Sequence, residues 1–381
     1  MKKCRPILCM VLIVSLLFAL PMQSFALNDD EVKAPSALLM DAETGKVLYE
    51  KNAHEIRVCA SITKVMTLLL VMEAIDSGKI AMTDVVSASE HASSMGGSDI
   101  WLEPGETMTV DELIKATVVA SANDAAVALA EHVCGTEDAF VEEMNKKAAE
   151  LGMADTVFKN CNGLDEEGHV TSAYDVALMS RALMKHEAIF QYTSIWIDYL
   201  RDGKTQLVNT NKLLKSYKGI TGLKTGTTGQ AGSCMSATAE RDGLSLIAVV
   251  LGSTSGTDRF NAAATLLDYG FANYAMSQPV LPEGALAPVP VLNGMETQVE
   301  TAVDLTGSFL VQKGKESEIT SNVTLSENVE APVEPGQVLG KLTYMLGDEI
   351  LAEYDITAAA PIERISFFGV LGVLIRQLFS F

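Results

Sequence analysis

Ser61-Ile62-Thr63-Lys64, Ser121-Ala122-Asn123 and Lys224-Thr225-Gly226 are short strings whose side chains can perform acyl transfer if folding brings them together. A serine hydroxyl is a weak nucleophile until a neighbouring base takes its proton. The three-residue step from Ser61 to Lys64 puts both on one face of a helix. Lysine is a base only while neutral, which requires burial and a second nearby cation to depress its pKa; Lys224 is the candidate for that cation. A serine opening a helix also aims its own N–H, and the helix dipole, at an acyl oxygen that turns negative. Ser121 can relay a proton from Lys64 to a leaving amine, and Asn123 can bind a peptide amide. Lys224 and Thr225 can hold an anion, Gly226 lets a substrate backbone lie close, and the Thr227 N–H is a second oxyanion donor. None of the five histidines suits a Ser-His-Asp triad. His169, in Gly168-His169-Val170-Thr171-Ser172, reads as a structural loop residue.

The elements that must position these groups follow from periodicity. Residues 35–50 read as a hairpin, with apolar runs flanking a turn that ends in Gly45. Residues 63–75 read as a helix, since Val65, Leu68, Leu69 and Met72 recur at helical spacing. Thr109 and Glu112 form a capping box opening a second helix that runs to about Ala120. Further helices are expected over 124–132, 137–151 and 172–185. Ser121 and Asn123 therefore fall in a turn between helices. Lys224 opens an edge-strand pattern, followed by buried strands over 233–239 and 244–252 and a helix over 258–275. Strands at both ends and helices between them predict an α/β (α+β) catalytic domain over 30–277, its sheet beside a helical insertion. Near Ser277 the composition shifts: four prolines precede short β-rich runs separated by Gly and Asn turns. That pattern predicts a small all-β domain over 278–361.

The termini and the charge bound where the chain works. Lys2, Lys3 and Arg5, an apolar run from Ile7 to Leu20, and Ser24-Phe25-Ala26 read as a cleaved export signal over 1–26. Residues 362–381 fold on paper into an amphipathic helix, with Ser366, Gly369, Arg376, Gln377 and Ser380 on one stripe and apolar residues elsewhere. That is the pattern of an in-plane membrane anchor. The net charge of −21 argues against nucleic acid as a partner, which needs a basic face. Four cysteines remain after the signal, with no C-x-x-C pair, so neither zinc nor a redox dithiol is indicated; buried free thiols are expected. The chemistry above calls for no metal and no other cofactor.

Longer strings extend the motifs: Ala60-Ser61-Ile62-Thr63-Lys64-Val65-Met66-Thr67, Cys161-Asn162-Gly163-Leu164-Asp165, His169-Val170-Thr171-Ser172-Ala173 and Gly222-Leu223-Lys224-Thr225-Gly226-Thr227-Thr228. With these the chain resembles the D-alanyl-D-alanine carboxypeptidases among the low-molecular-mass penicillin-binding proteins, from about Pro35 to the C-terminus. The resemblance implies a penicillin-binding/β-lactamase-like catalytic fold, a C-terminal β domain and a terminal amphipathic anchor. It implies an exported enzyme at the outer face of the cytoplasmic membrane that removes the terminal D-Ala of the peptidoglycan stem pentapeptide. β-Lactam antibiotics would trap its serine covalently. Ser61 would be the nucleophile, Lys64 the general base, and Ser121, Asn123 and Lys224 the supporting shell. Arg259, placed just before a helix, would help hold the substrate carboxylate. A β-lactamase shares the motifs and would need a water-activating carboxylate, for which Glu166 and Glu167 lie in the relevant stretch. A membrane-tethered β-lactam sensor that acylates without turnover is the non-enzyme alternative, without a visible signalling transmembrane domain.

Overall fold

The computed structural model describes residues 27–367 and 369. The expected export signal, and nearly all of the expected anchor beyond Phe367, lie outside the described residues. The described chain divides after Asn273 into two compact units.

In the first unit an antiparallel five-stranded sheet is built from both ends of the sequence. Its order is Val47–Lys51, Ser36–Asp41, Leu244–Ser253, Gly232–Arg241, Ile220–Thr228. The central strands are almost wholly buried, as strands covered on both faces must be. Helix Gly256–Asn273 covers one face, where Gly270 lies against Leu39 and Leu246. Helix Ala173–Met184 covers the other, where the hydroxyls of Ser180 and Ser236 meet at 2.8 Å. Ile220–Thr228 is the edge strand expected for the Lys-Thr-Gly string, and Lys224 sits at its middle rather than its start.

The segment between the strand groups is helical. Helix Lys64–Asp76 is buried on nearly every side, so its apolar surface is broader than the stripe the spacing predicts. Thr109 and Glu112 form the reciprocal capping box that opens helix Val110–Val119. Helix Asn123–Cys134 follows after a three-residue turn, then Glu137–Glu150. A hairpin that the patterning did not single out pairs Ile197–Leu200 with Thr205–Val208. The four cysteines among the described residues are free; Cys59, Cys161 and Cys234 are buried and Cys134 is partly exposed.

Among its described residues the second unit is built of strands apart from a single 3₁₀ turn at Glu316–Glu318 and the start of a helix at Phe367. Tyr274–Ser277 pairs with Phe309–Gln312, so these residues close the β unit rather than the catalytic one. Its largest sheet orders Thr301–Val303, Glu349–Ala358, Val338–Leu346 and Ile319–Leu325. Two small apolar clusters hold it, one around Val289, Val333 and Leu339, the other around Phe309, Leu342 and Ile356.

Candidate active site

Ser61 does not open an α-helix, as the spacing predicts; it lies in a 3₁₀ turn, Ala60–Thr63, and the α-helix begins at Lys64. The change tightens the pair, because residues three apart eclipse one another in a 3₁₀ turn. Lys64, whose side chain leans back toward the N-terminus as helical side chains do, places Nζ 3.1 Å from Ser61 Oγ. Two long-range contacts compress the turn. Gly226 lies so close that a Cβ there would stand 2.6 Å from the Cys59 carbonyl oxygen and 2.9 Å from the Ser61 nitrogen. Gly163, at φ +85°, would put a Cβ 2.1 Å from the Ala60 oxygen. The sequence reading assigned Gly226 to close approach by a substrate backbone; the chain that approaches it here is the serine turn itself.

Lys64 is fully buried. Beside Ser61, its Nζ donates to Asn123 Oδ1 at 2.5 Å and to the Asn162 carbonyl at 2.6 Å. Asn123 Nδ2 donates in turn to the Gly96 carbonyl at 2.6 Å, which fixes the orientation of the amide. The Asn123 carbonyl, read from sequence as available to a peptide, is therefore occupied by Lys64. Both short partners are oxygens that can only accept. A neutral amine has two hydrogens, and these two acceptors use both. The lone pair is then left for Ser61, whose hydroxyl can donate. Burial lowers the Lys64 pKa to about 7, against opposing pulls from Cys161, Asp99 and Asp124. The sequence predicts that burial and a second cation, Lys224, lower it together; desolvation is the leading cause. The repulsion registers on Lys224 itself, held well below its ordinary value by burial and then by the charges of Lys64 and Arg259.

Lys224 is buried and donates to Ser121 Oγ at 2.8 Å and to the Thr225 carbonyl at 3.2 Å. Ser121 holds φ +63°, a left-handed backbone uncommon outside glycine. Strand alternation explains the division of labour along the edge strand. Lys224 and Gly226 share the face turned to Ser121 and to the serine turn. Thr225 and Thr227 alternate with them: Thr225 Oγ1 donates to Thr210 Oγ1 at 2.6 Å, and Thr227 is exposed. Arg259 lies within the first turn of helix Gly256–Asn273, not before it. Its Nη1 donates to the Gly226 carbonyl and to Thr227 Oγ1, each at 3.0 Å, and to the Cys234 carbonyl at 3.2 Å. Arg259 thus braces the strand end.

Sequence reasoning missed the Asn162 carbonyl, since a backbone oxygen leaves no mark in residue types; the neighbouring glycine was the available signal. His169 is buried and its pKa lowered to about 4 by desolvation. Its Nδ1 accepts from the Lys159 N–H at 3.2 Å, so the neutral ring carries its proton on Nε2, 2.8 Å from Thr63 Oγ1. It buttresses the serine turn from behind. Glu166 is exposed and accepts from Asn160 at 3.0 Å, and Glu167 is exposed beside it.

Comparison with known proteins places this geometry. A family model described as D-alanyl-D-alanine carboxypeptidase matches residues 23–255, and one described as penicillin-binding protein 5, C-terminal domain, matches 276–364. The D-alanyl-D-alanine carboxypeptidase DacF of Bacillus subtilis is 44% identical over 343 residues, covering 89% of this chain and 88% of its own. The E. coli carboxypeptidase DacC is 33% identical, covering 90% and 88%. Among solved structures, penicillin binding protein 5 of Haemophilus influenzae aligns with TM-score 0.76 at 30% identity, covering 89% of this chain and all of its own. Penicillin-binding protein D2 of Listeria monocytogenes, in its ampicillin-bound form, aligns with TM-score 0.56 at 33% identity, covering 64% of this chain and all of its own. The chain belongs to the D-alanyl-D-alanine carboxypeptidase family of serine peptidases, followed by the β domain of penicillin-binding protein 5.

Proposed function

We propose that this carboxypeptidase cleaves the terminal D-Ala from the peptidoglycan stem pentapeptide through an acyl-enzyme on Ser61. Neutral Lys64 accepts the Ser61 proton as Oγ attacks the carbonyl carbon of the penultimate D-Ala. The backbone N–H groups of Ser61 and Thr227 receive the oxyanion. Ser121, polarised by Lys224, passes the proton to the departing D-Ala nitrogen, and the peptide bond breaks. Water then attacks the ester carbon as Lys64 takes its proton; the acyl C–Oγ bond breaks, Lys64 returns the proton to Ser61 Oγ, and the shortened peptide leaves as its carboxylic acid. Lys224, Thr225 and Arg259 hold the substrate carboxylate end. The observation that carries the reading is the Lys64 amine: buried, tied to two acceptors and left facing one hydroxyl.

β-Lactams, which mimic the dipeptide, acylate the same oxygen; the ampicillin-bound Listeria relative supports this. Residues 1–26 direct export, 30–273 carry the reaction, 274–364 form the β domain, in whose core Ile362 is buried, and 365–381 lie in the outer surface of the cytoplasmic membrane. The leader and tail patterns support that placement, and among the described residues no helix is long and apolar enough to cross a membrane.

The test incubates the protein, without leader and tail, with diacetyl-L-lysyl-D-Ala-D-Ala and with a fluorescent penicillin. D-Ala release together with a slowly hydrolysed penicilloyl adduct is expected, and Ser61→Ala is expected to lose both. Rapid penicillin turnover without D-Ala release, or labelling that survives in Ser61→Ala, would refute the assignment.

A further inference from the structure

The loop from Met95 to Leu102 borders the site and presents one open aromatic side chain on a backbone held from both sides. Trp101 is 78% exposed and adopts φ +55°, a strained conformation for a bulky residue. On one side, the Ile100 N–H donates to both carboxylate oxygens of Asp124 at 3.2 and 3.1 Å, and the Leu102 N–H to one of them at 3.0 Å. On the other, Arg201 donates to the carbonyls of Ile100 at 2.9 Å and Trp101 at 3.4 Å, while its Nε holds Glu106 at 2.6 Å. The loop is also tied to the catalytic cleft. Asn123 donates from its backbone N–H to the Ser98 carbonyl and from Nδ2 to the Gly96 carbonyl, both at 2.6 Å. The other tryptophan, Trp196, already has the Lys215 ammonium 5.0 Å above its ring.

The direction of the substrate, which rests on the proposed function, decides what meets this loop. In the proposed reaction the terminal carboxylate sits at Lys224, Thr225 and Arg259, which leaves the acyl arm the opposite side of Ser61, where Asn123 ties the site to this loop at Gly96 and Ser98. The first side chain on that arm belongs to the residue preceding D-Ala-D-Ala. From Met95 to Glu106 the chain carries Asp99, Glu103 and Glu106 and no basic residue. Arg201 occupies Glu106, whereas Asp99 Oδ1 has no hydrogen-bond partner among the described residues. The face of an indole ring attracts cations, most strongly of the aromatic side chains. We propose that Trp101 is a specificity-determining residue that receives the free ammonium group ending the side chain of the stem-peptide residue next to D-Ala-D-Ala.

The experiment compares kcat/KM for Nα-acetyl-L-lysyl-D-Ala-D-Ala, whose side-chain amine is free, with the diacetylated peptide, whose amine is blocked. The wild-type protein is expected to prefer the free amine by about two- to fivefold, the span of an exposed cation–π contact. Trp101→Ala is expected to bring the ratio near one, and Trp101→Phe to restore part of it. The ratio is internal to each protein, so loss of folded enzyme cancels. A wild-type ratio of one or below, or a preference unchanged in Trp101→Ala, overturns the inference. D-Ala release from neither peptide would overturn the parent reading instead.

Discussion

Acidification through neutrality is the most direct perturbation of the proposed base. Lys64, with its pKa lowered from 10.5 to about 7 by burial, is roughly half neutral at pH 7. At its ordinary value only about three molecules in ten thousand would be. Burial therefore multiplies the available base by about 10³, equivalent to about 4 kcal/mol. Base catalysis needs the unprotonated form, so the rate rises with pH and levels off above the folded pKa. The neutral fraction climbs from about a tenth at pH 6 to about nine-tenths at pH 8, so acylation should rise about tenfold and then flatten. An unshifted lysine would instead give about a hundredfold rise over the same interval with no plateau. The assay is the second-order rate constant for labelling by a fluorescent penicillin, measured by stopped flow from pH 5.5 to 9.5. Lys64→Arg, which keeps a charge it cannot lose, should fall by about 10²–10⁴ at every pH. A profile flat between pH 6 and 8, or one still climbing tenfold per unit above pH 9, would refute the reasoning.

Gly226→Ala places a methyl group against the Cys59 carbonyl and the Ser61 nitrogen. It should cost about 1–3 kcal/mol in denaturant unfolding and slow acylation about 10²-fold by moving the nucleophile; wild-type labelling would contradict the packing argument. His169 tests the opposite side of the same turn. Its folded pKa of about 4 lies below its ordinary 6.5, so between these values the unfolded chain binds more protons and stability falls as pH drops. The loss should approach about 3 kcal/mol by pH 4. His169→Gln should flatten that part of the stability curve, and an unchanged slope would exclude His169 as its source.

Residues close in sequence announced their partners. The reciprocal Thr109–Glu112 cap, the hairpin at the start of the sheet, the edge strand bearing Lys224 and the i,i+3 relation of Ser61 to Lys64 depend on a few consecutive dihedrals. Periodicity and residue type encode those directly. The hairpin at Ile197–Leu200 and Thr205–Val208 gave no such pattern, because its strands are short and half exposed. The four residues Tyr274–Ser277 joined the β unit for a nonlocal reason: their hydrogen-bonding partner, Phe309–Gln312, lies more than thirty residues on.

What the sequence determined by itself, then, was an inventory: two serine hydroxyls, two amines, an amide and an arginine, on elements able to bring them to one place. Only the tertiary structure decided their states. It turned Asn123 onto Lys64, supplied the Asn162 carbonyl from a loop almost a hundred residues away, and pressed Gly226 against the serine turn. Arg259 was set against the strand end, its Nη1 bonded to the Gly226 and Cys234 carbonyls. The reason is physical. Whether an amine keeps its proton depends on the water removed from around it and the dipoles aimed at it, and in a folded chain both come from segments remote in sequence.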